Sequence, residues 1–577
     1  MYEIQCSLLG SLVFLAFTIL MIEPLLAQTV TQDKIPTVPQ LPSVPSPLPA
    51  EEELKLKPPT PPVFPPEFPE ENIQTIKVKR FVFQGNTVFS NQKLEELVAS
   101  FIGKEITFSE LLQARAAITR FYVDQGYISS GAFLPIAENQ AIDQRQAVIT
   151  IKIVEGRLDE VQIVGSSRLE NYIRSRLPNT FTVLNSDRLL EDLQLLQQDP
   201  LIESITAELT EGTRLERPIL KVAVKERDPF KIEAVLDNSR SPAVGSFQRR
   251  VELTHANLLG LGDRFSIGYR NTDGSNTVST SYSIPINPQN GTLQFFYANT
   301  SSNIIERPFT NLDILSDARA YELTFRQPLL RRATTGSTQE FALSLTASRL
   351  ESESSLLNTP FPLSSGADDQ GRTRISAIRF SQEWLNRSRQ RVLFFRSQFS
   401  LGVNAFNATI NDSAPDSRFF AWRGQATWVR RLSANTLQVR ADLQLADRPL
   451  VSLEQLGLGG ATSVRGYRQD TFLTDNRLLL SAEFYIPVWK EETGILQLVS
   501  FIDFGTAWNH NNFGNDISDT SRATGTLGSI GLGLQYQLSD RLNARLDWGI
   551  PLFSVNTNLE SQSWQENGIY FSFGYRL

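Results

Sequence analysis

Leu437-Gln-Val-Arg-Ala-Asp-Leu-Gln-Leu445 is the stretch on which the fold turns. Leu437, Val439, Ala441, Leu443 and Leu445 alternate with Gln438, Arg440, Asp442 and Gln444, so a strand here has one apolar and one charged face. The same period recurs at Leu542, Ala544, Leu546, Trp548 and Ile550 against Arg541, Asn543, Arg545, Asp547 and Gly549. It recurs again at Ile530, Leu532, Leu534, Tyr536 and Leu538. In all, 16 such segments begin near residues 231, 250, 264, 278, 293, 320, 340, 375, 393, 420, 437, 478, 496, 530, 541 and 568. A soluble all-β protein would turn the apolar face to a core. A transmembrane barrel turns it to lipid and aims the polar face at a wet lumen.

The connections favour the barrel. Short ones (Asn257 to Asp263, Pro285 to Gly291, Asn386 to Arg391, Arg430 to Asn435, Ser539-Asp540) contrast with long ones (Thr300 to Arg319, Glu351 to Arg374, Ala446 to Asn476, Phe504 to Ser529). Outer-membrane barrels have short periplasmic turns and long outer loops. An even strand number places both barrel ends on the short-turn side, so everything before the barrel hangs in the periplasm. Closing the sheet satisfies every backbone group in lipid, which an open sheet does not.

Composition agrees. The 577-residue chain is long enough for several domains and carries a net charge of -7, which argues against nucleic acid as a partner. Its single cysteine, Cys6, lies in the first apolar run, and the two histidines, His255 and His510, are too far apart to suggest a metal site. No metal, cofactor or catalytic set is expected. The run Ser7 to Ile22, reaching small Ala27, reads as a signal peptide over 1–27, with a retained anchor helix as the alternative. Residues 28–72 are proline-rich (Pro36, Pro39, Pro42, Pro45, Pro47, Pro49, Pro58-Pro59, Pro61-Pro62, Pro65-Pro66) and read as an extended, semi-rigid linker with no helical plug.

Between linker and barrel a plan of strand, two helices and two strands occurs twice. In the first copy, 73–156, a strand from Ile76 ends at the turn Gly85-Asn86, and Ser90 caps a helix bearing Leu94, Leu97, Val98 and Phe101. Ser109 is expected to start a second helix bearing Leu112, Ala116 and Tyr122, followed by strands near Ser130 to Leu134 and Ala147 to Val154. The second copy, 157–228, has a strand at Val161 to Gly165, helices around Arg168 to Leu177 and Asp187 to Gln197, and strands near Ile205 to Leu209 and Ile219 to Val224.

Two motifs carry the functional signal. The connection after the segment at 437, the sixth outer loop, reads Gly457-Leu-Gly-Gly-Ala-Thr-Ser-Val464-Arg465-Gly466-Tyr467. Phe501-Ile-Asp503-Phe-Gly505 follows on a strand where Asp503 shares a face with Val499 and Phe501, opposite Leu496, Leu498 and Ile502, and therefore points into the lumen. This Val-Arg-Gly-Tyr loop followed by Phe-x-Asp-x-Gly resembles the TpsB-type two-partner-secretion transporters, the haemolysin-activator branch (ShlB/FhaC/HecB) of the superfamily that includes BamA. The two α+β modules resemble POTRA domains, and the junction Val154-Glu155-Gly156-Arg157-Leu158 with the turn Gly85-Asn86 is similar to the first POTRA of that branch.

The resemblance implies a 16-stranded all-β transmembrane barrel over 229–577, preceded by two small α+β POTRA domains, in the outer membrane. It implies binding of an unfolded, β-helical secreted partner by the POTRA modules and its export without nucleotide. It implies that the loop folds back so that Arg465 contacts Asp503; Gly466 would permit a tight turn at the tip, and alternation places Arg440 and Arg545 along the path. The final segment, with Phe571, Phe573, Tyr575 and Leu577 on one face, resembles the terminal strand read by the barrel-assembly machinery, although family members usually end in an aromatic residue. An insertase or polypeptide-import channel of the same superfamily is the rival reading. A passive porin has no need of the modules or the Arg465/Asp503 motif, and an outer-membrane enzyme lacks a catalytic set.

Overall fold

A computed structural model describes residues 75–135, 147–214, 216–334, 336–412, 415–510, 525–555 and 563–577. The expected signal peptide, the proline-rich linker and the question of a helical plug lie outside the described residues. The chain divides into two compact units, one of α+β modules up to Arg227 and one of strands from Asp228 onward.

In the first module Ile76–Gln84 lies parallel to Ala147–Val154, with Glu105–Ile106 and Gly131–Phe133 at the two edges. Ser90 caps the helix Asn91–Val98, as its hydroxyl accepts from the Lys93 N–H. The second helix, Phe108–Asp124, starts one residue before the expected Ser109. Thr107 is the cap, and it forms a reciprocal capping box with Glu110. Its buried stripe is Leu111, Ala114, Ile118 and Tyr122, so Tyr122 is buried as expected and Leu112 and Ala116 are not. Glu155 ties the module shut: its carboxylate accepts from the N–H of Thr87 (2.7 Å) and of Val88 (2.8 Å), and from the Tyr122 hydroxyl (3.0 Å). Burial works against its ionisation, but these bonds and one from the Thr87 hydroxyl hold its pKa below the usual glutamate value. Next to it, the Gly156 carbonyl accepts from the Leu184 N–H of the second module at 2.9 Å. The second module pairs Glu160–Val164 parallel to Arg217–Glu226, which also pairs antiparallel with Ile202–Arg214.

The second unit is a closed antiparallel barrel of 16 long strands, with a two-residue bridge at Thr359–Pro360 beside them. Apolar positions of the strands face outward: Leu445, Ile502, Ile530, Leu532, Leu534, Leu546 and Trp548 are exposed, whereas Asp442, Gln444, Glu483, Asp503 and Asp547 are buried inside. Several strands outrun the expected segments. Leu315–Thr334 and Ser337–Leu356 are 20 residues each, about twice what a tilted strand needs to cross a bilayer, so part of the loops at Thr300 to Arg319 and Glu351 to Arg374 continues the ladder. Conversely, the turns at Arg389-Gln390 and Ser433-Ala434 shrink to two residues. The barrel closes through a short ladder. Ile569–Arg576 meets Phe230–Asp237 over five residue pairs, against seventeen between Ser337–Leu356 and Arg372–Ser388. Asn238 extends this seam, donating to the Ile569 carbonyl (2.9 Å) and accepting from the Phe571 N–H (2.8 Å).

Candidate functional site: the sixth loop in the lumen

The loop between Asn435–Ala446 and Asn476–Lys490 enters the barrel as a small hairpin, with Leu456–Leu458 antiparallel to Phe472–Thr474. Leu458, Val464, Tyr467 and Phe472 pack with Leu479, Ala507 and Leu527 of the inner wall. Apolar side chains inside a polar lumen are the reason the loop stays in: outside, they would face water. Gly505 makes room for them. A β-carbon there would lie 2.4 Å from Leu458 Cδ1 and 3.1 Å from Val464 Cγ2, so the glycine of the strand motif is a seat for the loop.

At the tip, Arg465 is 1% exposed and Asp503 0%. The guanidinium grips the carboxylate through Nε–Oδ2 (2.7 Å) and Nη2–Oδ1 (2.9 Å), while the Arg465 N–H donates to the same carboxylate at 3.2 Å. Ser481 Oγ donates to Asp503 Oδ1 at 2.7 Å. The other edge of the guanidinium reaches Glu483 (2.6 Å) and Asp547 (3.3 Å), and its face lies 3.5 Å from the centre of the Phe501 ring. Arg545 closes the circuit, at 2.9 Å from Glu483 and 2.8 Å from Asp547, and Arg440 stands 4.0 Å from Glu483. Three cations thus balance three carboxylates, which makes burial of so many charges tolerable. Arg440 and Arg545, expected along an open path, are drawn into this cluster.

Gly466, at φ +92°, turns the tip in the left-handed region, and its N–H donates to the Tyr570 hydroxyl at 3.1 Å. Tyr570 donates in turn to the Tyr467 carbonyl, and the Tyr467 hydroxyl donates to the carbonyls of Gly528 (2.9 Å) and Phe553 (3.0 Å). Arg468 pairs with Glu306 of the third outer loop and with Glu566 (3.3 Å). Beneath the loop the lumen keeps a cavity of about 930 Å³, lined among others by Arg250, Arg270, Arg379 and Arg423. Phe573, Tyr575 and Leu577 of the final strand are exposed, while Phe571 packs against Phe247 and Trp564.

Sequence reasoning reached Arg465 and Asp503 through the two motifs. It missed Glu483, Asp547 and Tyr570, whose only signal is inward parity on their own strands. Bringing them to Arg465 takes the cross-strand register, in which Ser481 lies opposite Asp503.

Comparison with known proteins follows the same lines. The profile of the haemolysin secretion/activation protein family ShlB/FhaC/HecB matches residues 181–535, and that of the ShlB-type POTRA domain matches 76–156. The chain belongs to the ShlB/FhaC/HecB family. It is 22% identical over 477 residues to the heme/hemopexin transporter protein HuxB of Haemophilus influenzae strain 86-028NP, covering 78% of this chain and 79% of that one. It is 21% identical over 441 residues to the outer membrane transporter CdiB of Dickeya dadantii, covering 74% and 75%. The solved structure of CdiB from Escherichia coli shares the fold, with a TM-score of 0.65 at 19% identity over 89% of this chain and 93% of that one. As a ShlB/FhaC/HecB protein the chain is an outer-membrane two-partner-secretion channel that transports a secreted partner protein, with its POTRA modules in the periplasm.

Proposed function

We propose that Arg465 and Asp503 lock the sixth loop across the lumen, and that the lock releases when an unfolded partner passes outward. The observation that carries this is the burial of Arg465 within a balanced set of carboxylates on the wall. A loop so held obstructs the barrel, and a polypeptide needs it displaced. The partner is an extended chain that folds, as a β-helix, only at the cell surface, so folding outside gives the movement its direction without nucleotide.

The modules at 73–156 and 157–228 capture that chain by β-augmentation. Glu160–Val164 supports this, since among the described residues it pairs on one side only, with Arg217–Glu226, and Val164 and Phe181 of the same module are exposed. Outward Phe573, Tyr575 and Leu577, with Phe571, form the feature by which the barrel-assembly machinery recognises the last strand. The reading is tested by deleting the gene and identifying which large protein leaves the medium. Complementation with the wild-type chain restores that protein, and a medium unchanged by the deletion rejects secretion of a partner.

A further inference from the structure

Across four strands of the barrel, Arg372–Ser388 to Asn435–Ala446, the outer wall is indented at small residues and carries a pair of arginines toward one end. Along the outward face of Phe420–Leu432 the side chains run Trp422, Gly424, Ala426, Trp428, Arg430. Register places Ser397 and Leu443 beside Gly424, Phe395 and Ala441 beside Ala426, Leu393 and Val439 beside Trp428, and Arg391 directly across from Arg430. The small residues leave an apolar cleft of about 380 Å³ on the lipid side, walled by Phe341, Trp384, Phe395 and Trp422. Ser397 within it is satisfied by the Trp422 indole N–H at 3.0 Å.

Arg391 and Arg430 lie on the periplasmic side of this cleft, four residues along their strands from Phe395 and Ala426 at its edge and next to the two-residue turns. Like charges directly opposed on one face of a sheet destabilise it. Among the described residues no carboxylate forms an ion pair with either side chain. An anion at this height would relieve the repulsion. Arg430 to Gly424 is six residues, about 20 Å along a strand and roughly 15 Å along the membrane normal at barrel tilt, which is the depth of one leaflet.

We infer that this face is a binding site for an anionic diacyl glycerophospholipid of the periplasmic leaflet, its phosphate between Arg391 and Arg430 and an acyl chain in the cleft beneath Trp428. Bidentate recognition of phosphate is what paired guanidinium groups offer, and a tryptophan belt at the head-group boundary suits Trp428. A second copy of the barrel is the poorer occupant, because packing the same face about a two-fold along the membrane normal would set these arginines against their equivalents.

The test is tryptophan quenching of the full chain in phosphatidylcholine bilayers containing a small fraction of brominated phosphatidylglycerol or, in parallel, brominated phosphatidylcholine. Two arginines near the surface, each contributing on the order of a factor of five, give phosphatidylglycerol roughly a 25-fold higher relative binding constant. That preference falls close to unity in the R391Q/R430Q variant and, in the wild type, at high salt. Heat-modifiable mobility on gels confirms that the variant is folded, and the salt arm stands without it. Equal quenching by the two lipids on the wild type overturns the inference. So does a preference that survives the double substitution, or quenching lost on both lipids because the wild-type barrels pair through this face.

Discussion

Replacing Asp503 by alanine perturbs the proposed lock where it is most fully satisfied. Asp503 receives two bonds from the Arg465 guanidinium, one from its backbone N–H and one from Ser481. Breaking a buried pair by removing one partner typically costs about 3–5 kcal/mol. Arg465 keeps Glu483 at 2.6 Å and Asp547 at 3.3 Å, so its charge is not stranded. A loss of about 2–3 kcal/mol for the inserted loop is the appropriate scale, a factor of roughly 30–150 in the ratio of displaced to inserted loop. Removing Arg465 instead leaves three carboxylates facing only Arg545 and Arg440, so R465A exceeds D503A. D503N, which retains the shape and an acceptor oxygen, falls below it. The assay is single-channel recording of the purified chain in planar bilayers, reading the fraction of time in the high-conductance state. A folded D503A barrel with wild-type closed times refutes the reasoning, as does R465A milder than D503A.

The remaining predictions concern the seat, the tip and the first module. Gly505→Leu drives a side chain into Leu458 and Val464, and overpacking of about 1–3 kcal/mol raises the high-conductance fraction with all charges intact; unchanged recordings contradict the assigned seat. Tyr570→Phe leaves the Tyr467 carbonyl and the Gly466 N–H without their partner, a loss of about 1–3 kcal/mol, read as a rise in conductance smaller than that of R465A. Glu155→Gln weakens the tie between the turn at Thr87 and the junction by about 1–2 kcal/mol. Because its pKa is depressed in the folded state, its contribution is complete above the ordinary glutamate value and disappears as pH falls through the depressed one. The wild type therefore resists proteolysis within residues 76–156 of the full chain at neutral pH and loses that advantage on acidification, whereas E155Q is the more susceptible at neutral pH and flattens this acid limb; an identical pH profile in the variant counts against the tie.

What could be read in advance depended on whether the signal was local. Alternation at Leu437 to Leu445 assigns each side chain to lipid or lumen, because a strand's period is two and the barrel has only two faces. The Arg465–Asp503 contact came from two motifs on separate segments. Glu483 and Asp547 stayed hidden, since their approach to Arg465 depends on register across neighbouring strands, which no single strand encodes. Strand ends were misjudged beyond Thr300 and Glu351, where the ladder leaves the bilayer and both faces turn polar, erasing the period. At Ser109 a competent cap was outcompeted by Thr107, whose partner Glu110 stands at the position a capping box requires. The pair Arg391 and Arg430 is legible only once the register sets them opposite each other.

The central claim, that the loop must leave the lumen for a partner to pass, is tested most directly by tethering it. Val464 Cγ2 lies 3.1 Å from where a β-carbon on Gly505 would stand, within reach of a disulfide. With Cys6, the only native cysteine, changed to serine, the V464C/G505C chain should stop releasing its partner when oxidised and resume when reduced. Full secretion through a quantitatively cross-linked barrel would contradict the account.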